Sequence, residues 1–235
     1  MRWTGGALIA AGLALAGCAA PMQAPPRPQV PVANDSPALS AEAAVRQFTS
    51  VVRTVEPVAE RNCRTTAPAA DCDFQIVVDD RPGQGVNAFQ TLDSTGRPVL
   101  AFTLGLIADV RNPDELAFVM SHEAAHHILA HLDRQRVNAT AGAEVFGGWA
   151  AATGVSGAGV ELATRIGAAL GARSYSKQFE LEADALGARI AQSAGYDAVR
   201  GARYFTRIPD PGDRFLGTHP PNGDRMETVR RAVGG

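Results

Sequence analysis

An excess of charge of either sign is what this sequence most clearly lacks. Across 235 residues, 22 Lys and Arg face 24 Asp and Glu, a formal charge of −2, so there is no electrostatic footprint for nucleic acid. No internal repeat is visible, which excludes a helical-repeat module. No apolar run reaches the roughly 20 residues that a membrane-spanning helix needs. At 46% hydrophobic content the chain is too apolar to be disordered and can bury a core. Cysteine is scarce at 3 residues, and histidine at 5. The distribution of these rare residues is therefore informative.

Residues 1–17 read as a secretory signal: Arg2, an uncharged apolar run from Trp3 to Ala16, then small residues before Cys18. The ending Leu15-Ala16-Gly17-Cys18 resembles a bacterial lipobox. That resemblance implies cleavage before Cys18 and acylation of it, and Ala19 after the cysteine implies sorting to the outer membrane. Stable anchoring takes more than one acyl chain. Residues 18–37 hold six of the fifteen prolines and almost no charge, the composition of a semi-extended tether. The remaining cysteines, Cys63 and Cys72, form an even pair in an exported chain and are expected to make a disulfide. Closing this ten-residue loop is worth roughly 2.7 kcal/mol on the loop-entropy model.

Residues 38–235 are expected to form one domain. A helix starting at Ser36-Pro37 or Ser40 runs through Phe48 and Val55 with Pro57 near its end. Three β-type segments follow, Phe74–Val78, Val86–Thr91 and Val99–Thr103, with turn chemistry between them, and predict a small antiparallel sheet. Asn112-Pro113-Asp114-Glu115 supplies an N-cap, a proline at the first helical position and a glutamate three residues after the cap. The helix it opens is expected to reach about Arg134. Residues 139–172 are rich in alanine and glycine, and Val145–Val160 carries no charge. This segment reads as a helical hairpin or a mobile flap, too short between Glu144 and Glu161 to span a membrane. A further helix from about Ser176 to Ala194 is closed by Gly195, and two short helices near 197–207 and 223–233 end the chain.

Four of the five histidines lie within ten residues, His122, His126, His127 and His131. His122-Glu123-Ala124-Ala125-His126 places two imidazoles four residues apart, about 40° around a helix, where both can hold one zinc ion. Glu123 beside them is placed as general base, taking a proton from water and handing it to the leaving amine. A zinc site needs a third protein ligand. An extended histidine motif on the same helix would need glycine at 129 and histidine at 132, but both positions are leucine. His127 and His131 fall about 140° and 180° from His122 and are expected to make structural hydrogen bonds. On the later helix Glu180 and Asp184 share one face, whereas Glu182 points away and is expected to be solvated. Glu180 is thus the expected third ligand. Asp184, one turn on, is expected to accept a hydrogen bond from a liganding histidine.

The order Val86-Asn87-Ala88-Phe89, Glu115 to Val119, His122 to His126 with His131, Ser176 to Asp184 and His219-Pro220 resembles the HtpX-like family of zinc metallopeptidases, which includes the CAAX prenyl endopeptidases. The likeness covers about residues 40 to 233, and Glu180-Leu181-Glu182-Ala183-Asp184 is its most diagnostic segment. It implies an α+β zincin-type domain, mostly helical, holding one Zn2+ with His122, His126 and Glu180. It also implies that His219 either caps the zinc in a resting state or donates to the oxyanion, while Arg225 braces its loop. An extended substrate is expected on a sheet edge at Asn87, Ala88 and Phe89, or near Val99–Phe102. The expected activity is endoproteolysis of misfolded or unassembled envelope proteins on the periplasmic side of a membrane. Alternatives are a non-proteolytic assembly lipoprotein and a cell-wall peptide hydrolase.

Overall fold

The computed structural model describes residues 39–174, 176–209 and 219–234. The signal, Cys18 and the tether lie outside the described residues. Ser40 caps the first helix, α1 (Ala41–Thr66), by accepting from the Ala43 amide at 3.3 Å. The helix does not stop at Pro57 but runs nine residues beyond it. Pro57 is exposed, so water can satisfy the carbonyl its ring leaves without a partner, while burial of Val51, Val55, Val58, Ala59 and Cys63 on the opposite side carries the helix through.

The strands are β1 (Gln75–Asp79), β2 (Ala88–Leu92) and β3 (Pro98–Thr103), in spatial order β1-β3-β2. The sheet is mixed, not antiparallel as expected. Asp93-Ser94-Thr95-Gly96 makes a tight hairpin between β2 and β3, with the Asp93 side chain accepting from the amides of Thr95 and Arg97. The eight residues from Asp80 to Asn87 are instead a crossover that carries the chain past β3, leaving β1 parallel to it. The central strand β3 is buried along its whole length, which removes Val99–Phe102 as a docking edge. A short helix with no distinct mark in the sequence, α2 (Leu104–Asp109), is capped by the Thr103 side chain at 3.2 Å.

The buried helix α3 (Pro113–Ile128) is the centre of the core. Asn112 accepts from the Glu115 amide at 3.0 Å, and Glu115 accepts from the Arg111 amide at 2.8 Å. Fully buried, Glu115 is also held by the guanidinium of Arg207. The helix ends six residues earlier than expected. Ala130 adopts φ 53°, ψ 37°, a left-handed conformation costing an alanine about 1–2 kcal/mol, and the chain turns sharply into α4 (His131–Ala152). Neither glycine nor proline marks this break.

A hairpin of α4 and α5 (Ala158–Arg173) follows. Its helices approach at glycine: a Cβ on Gly142 would lie 2.1 Å from the Gly167 carbonyl oxygen, and one on Gly171 2.0 Å from that of Asn138. The chain then enters α6 (Ser176–Ser193), which packs along α3, and ends with α7 (Ala198–Ala202), a 3-10 turn (Arg203–Thr206) and α8 (Asn222–Val233). Gly195 leaves α6 at φ 87°. The Cys63–Cys72 disulfide ties the loop after α1 back to that helix, and His127 Nε2 donates to the Asp71 carbonyl at 2.7 Å, pinning the same loop to α3.

α6 crosses α3 at Gly187, where an added Cβ would stand 2.9 Å from the backbone N and Cα of His122. Gly187→Ala is expected to force the helices apart and lower stability by about 1–3 kcal/mol. Gly148→Ala, at an exposed helical position with open space around it, should instead raise stability by up to about 1 kcal/mol. Urea denaturation of the two variants beside the wild type measures both signs.

Candidate metal centre and active-site cleft

Three side chains from two helices converge where α3 and α6 cross. His122 and His126 come from successive turns of α3 and Glu180 from the first turns of α6; one donor atom from each lies within 4.8 Å of the others. The His122 and His126 Nε2 atoms are 3.1 Å apart, Glu180 Oε1 is 3.4 Å from His126 Nε2, and Glu180 Oε2 is 3.6 Å from His122 Nε2. A tetrahedral ion with bonds of about 2.1 Å spaces its donors about 3.4 Å apart, so the triangle has the size of one face of such a site.

Protonation argues the same way. His122 Nδ1 lies 3.0 Å from Asp184 Oδ1, and a carboxylate at that distance favours the proton on Nδ1. His126 Nδ1 faces His131 Nδ1 at 2.9 Å, while His131 Nε2 lies 3.1 Å from Glu182 Oε2. The carboxylate fixes the His131 proton on Nε2, leaving Nδ1 to accept from His126. Both liganding candidates therefore turn bare Nε2 lone pairs toward each other and toward a carboxylate. Such a cluster needs a cation. Burial opposes charge on His122, but Asp184 and Glu180 outweigh it and push its pKa up to about 10, which expresses the same demand for positive charge at the cluster.

The supports reach beyond the residues singled out in the sequence. Asp184, fully buried, receives two hydrogen bonds from the Arg225 guanidinium, Nε to Oδ2 and Nη2 to Oδ1, each 2.7 Å. Arg225 thus braces the centre itself, and stands 3.4 Å over the Phe205 ring and 3.4 Å from Glu180 Oε2. Glu182 is not freely solvated. It accepts from His131, from Arg134 at 2.6 Å and from Gln178 at 2.7 Å. His131 stacks on Phe179 with centroids 4.6 Å apart. Burial first, then the neighbouring His126, lowers the His131 pKa to about 4, which keeps it the neutral acceptor that His126 requires. His131 makes structural hydrogen bonds as expected, but the helix-wheel placement differs for it and for Glu182, because the break at Ala130 swings His131 back toward His126 and α6 meets it there. Only the five-residue spacing from His126 hinted at this.

A cavity of about 480 Å³ opens over the centre, lined by Val86 to Gln90, Glu123, Tyr204, Phe205, His219 and Arg225 among others. Asn87 precedes β2, its amide donating to Thr103 Oγ1 at 3.0 Å. Ala88 and Phe89 begin β2, an outer strand paired on one side by β3 among the described residues. His219, 57% exposed at the rim, has Nδ1 3.3 Å from Glu180 Oε2.

A mostly helical domain with a three-stranded sheet and a His, His, Glu cluster on two crossing helices is the zincin type of metallopeptidase. Residues 46–233 match Peptidase family M48, and the chain belongs to that family. Among curated proteins it is similar to one of Vibrio cholerae serotype O1 (strain ATCC 39315 / El Tor Inaba N16961) described as "Putative beta-barrel assembly-enhancing protease", 34% identical over 146 residues, which is 56% of this chain and 30% of that protein. The chain thus spans less than a third of that relative's length. No helix among the described residues is long and apolar enough to cross a membrane.

Arg134, His131 and Gln178 hold the Glu182 pKa down at about 2 against its partial burial. A carboxyl lowered in the folded state contributes stability above its unfolded value, near 4.5, and that contribution is lost as pH falls through about 2. Glu182→Gln is expected to flatten the acid limb of the stability curve between these values and to weaken cobalt or zinc binding, while Glu161→Gln, in a surface i,i+4 pair, leaves both unchanged. Acid titration followed by circular dichroism and metal competition reads the two effects.

Proposed function

We propose that this M48 domain is a zinc-dependent endopeptidase that hydrolyses peptide bonds of misfolded or unassembled envelope proteins. The observation that carries this reading is the triangle of His122 Nε2, His126 Nε2 and the Glu180 carboxylate, with Glu123 on the same cavity wall. His122, His126 and Glu180 would hold the ion. When bound, zinc polarises a carbonyl and lowers the pKa of a bound water toward neutrality.

The chain's own residues do the rest. Asp184 and His131 fix the two histidine rings through their Nδ1 atoms, so the lone pairs stay aimed. Glu123 follows His122 on α3 and takes the water's proton, then passes it to the departing amine. Asn87, Ala88 and Phe89 offer main-chain groups to a substrate laid extended along β2, a mode that reads backbone more than side chains. His219 holds Glu180 from the rim in the resting state, or turns to the developing oxyanion. The description of the Vibrio relative as a beta-barrel assembly-enhancing protease supports envelope proteins as the substrate class, and the lipobox-like Leu15-Ala16-Gly17-Cys18 supports a lipid anchor on the periplasmic side of the outer membrane.

Hydrolysis of unfolded casein by wild type and Glu123→Gln, each with and without chelator, tests this reading. General-base loss should reduce turnover about 10²–10⁴-fold while zinc still binds, and chelator should abolish wild-type activity. Equal, chelator-insensitive loss of casein in both proteins overturns it, and cleavage confined to cell-wall peptides moves the assignment to a wall hydrolase. For His219→Ala the expected result is an altered turnover or zinc affinity; no change in either removes both roles of that residue.

A further inference from the structure

The α4–α5 hairpin carries a concentration of exposed apolar side chains found nowhere else among the described residues. Val145, Phe146 and Trp149 on α4, Val155 in the turn, and Leu162 and Ile166 on α5 all face solvent, Val145 at 66% and Trp149 at 68% exposure. These six lie in the distal half of the hairpin, and Val137, also exposed, lies nearer its base. The sixteen residues from Val145 to Val160 contain no charged side chain. α5 packs chiefly on α4, so the tip stands clear of the core that could otherwise have covered these residues.

We propose that this tip docks into the surface of a lipid bilayer, the one to which the acylated N-terminus would tether the domain. Four observations favour lipid over protein as the occupant. Residues 145–160 have no charge to desolvate and none to confer pairing specificity, and the exposed Glu161–Arg165 pair beside Leu162 and Ile166 lies at the rim where headgroups and water can solvate it. Its backbone polar groups are largely satisfied within two helices that zip together at Gly142, Gly147, Gly167 and Gly171, so entering an apolar phase strands few of them. Trp149 is the kind of amphipathic ring that settles at headgroup depth. Only twenty residues lie between the lipobox-like Cys18 and Leu39, so acylation there would keep the domain close to the membrane on which the tip would lie. Neither helix is able to span, so the tip lies in the interface.

Docking would also place the cleft. α4 begins at His131, in contact with His126, and its 22 residues measure about 33 Å. The peptidase centre then works no more than about that height above the lipid, where unassembled membrane proteins are presented. This consequence rests on the proposed peptidase reading, whereas the docking does not.

The chain contains two tryptophans, Trp3 and Trp149, so a Trp3→Phe background leaves the hairpin's indole as the sole tryptophan, excited at a wavelength the tyrosines do not absorb. The experiment mixes the full-length product purified from cells with vesicles of phosphatidylethanolamine and phosphatidylglycerol, plain or brominated on the acyl chains. The expected result is a blue-shifted Trp149 emission, quenching by brominated lipid and protection from acrylamide. Val145→Glu with Val155→Glu, both at exposed positions, should abolish that quenching and leave casein hydrolysis in detergent unchanged. Trp149 that stays open to acrylamide and insensitive to bromine in vesicle-bound protein overturns the proposal. So does protection that tracks the protein-to-lipid ratio, which would identify a second copy as the occupant. The anchor is read separately by flotation of Cys18→Ser, and its failure leaves the Trp149 result intact.

Discussion

Two imidazole nitrogens with their lone pairs facing each other at 3.1 Å, walled by Glu180 and Asp184, repel unless a cation lies between them, and the domain spends much of its construction on keeping them there. Each ring is held from behind by a different chain of contacts. His122 leans on Asp184, which Arg225 neutralises from α8, and Arg225 in turn rests on Phe205. His126 leans on His131, which Glu182 and Phe179 orient from α6. The two chains converge on α6, so the crossing at Gly187 sets the geometry of both.

Burial is what gives these contacts their strength. Asp184 at 0% and Arg225 at 4% exposure form a pair whose separation would leave a charge stranded, at about 3–5 kcal/mol. Glu115 and Arg207 repeat the device at the start of α3. The long buried helix is thus clamped by an ion pair near its N-terminus and by the ligand cluster near its C-terminus. Between them lie Leu116, Phe118, Val119 and Met120 in apolar contact with α1, α7 and the sheet.

Features fixed by local chemistry were legible in the sequence. Asn112-Pro113-Asp114-Glu115 announced the start of α3, Gly195 the end of α6, and the glycine-rich stretch the α4–α5 hairpin. His122, His126, Glu180 and Asp184 could be brought together because i,i+4 spacing is a property of one helix at a time. What depended on tertiary placement was not legible. Pro57 looked like a terminus because nothing in the sequence says which side of α1 faces water. The parallel pairing of β1 with β3 hinges on a crossover whose residues resemble a hairpin turn. The end of α3 rests on an alanine in a conformation that sequence pattern assigns to glycine, and with it went the placement of His131 beside His126 and the partners of Glu182. Arg225 could be named as a brace, but its pairing with Asp184, forty-one residues away, carried no local signal.

The position of the hairpin in the chain bears on how the centre forms. It separates His126 from Glu180 by 54 residues, a gap that a flexible chain would close slowly. Yet Gln135 donates to the Ala172 carbonyl, and Gly171 closes on Asn138, at the hairpin's base. Once these neighbouring helices have zipped through contacts local in sequence, the segment left to close is about 17 residues, which lowers the closure cost by about 1 kcal/mol. A hairpin that folds early is therefore a kinetic shortcut, and slackening it at Gly142 or Gly171 would delay the meeting of the two halves of the centre even where the finished site is unchanged.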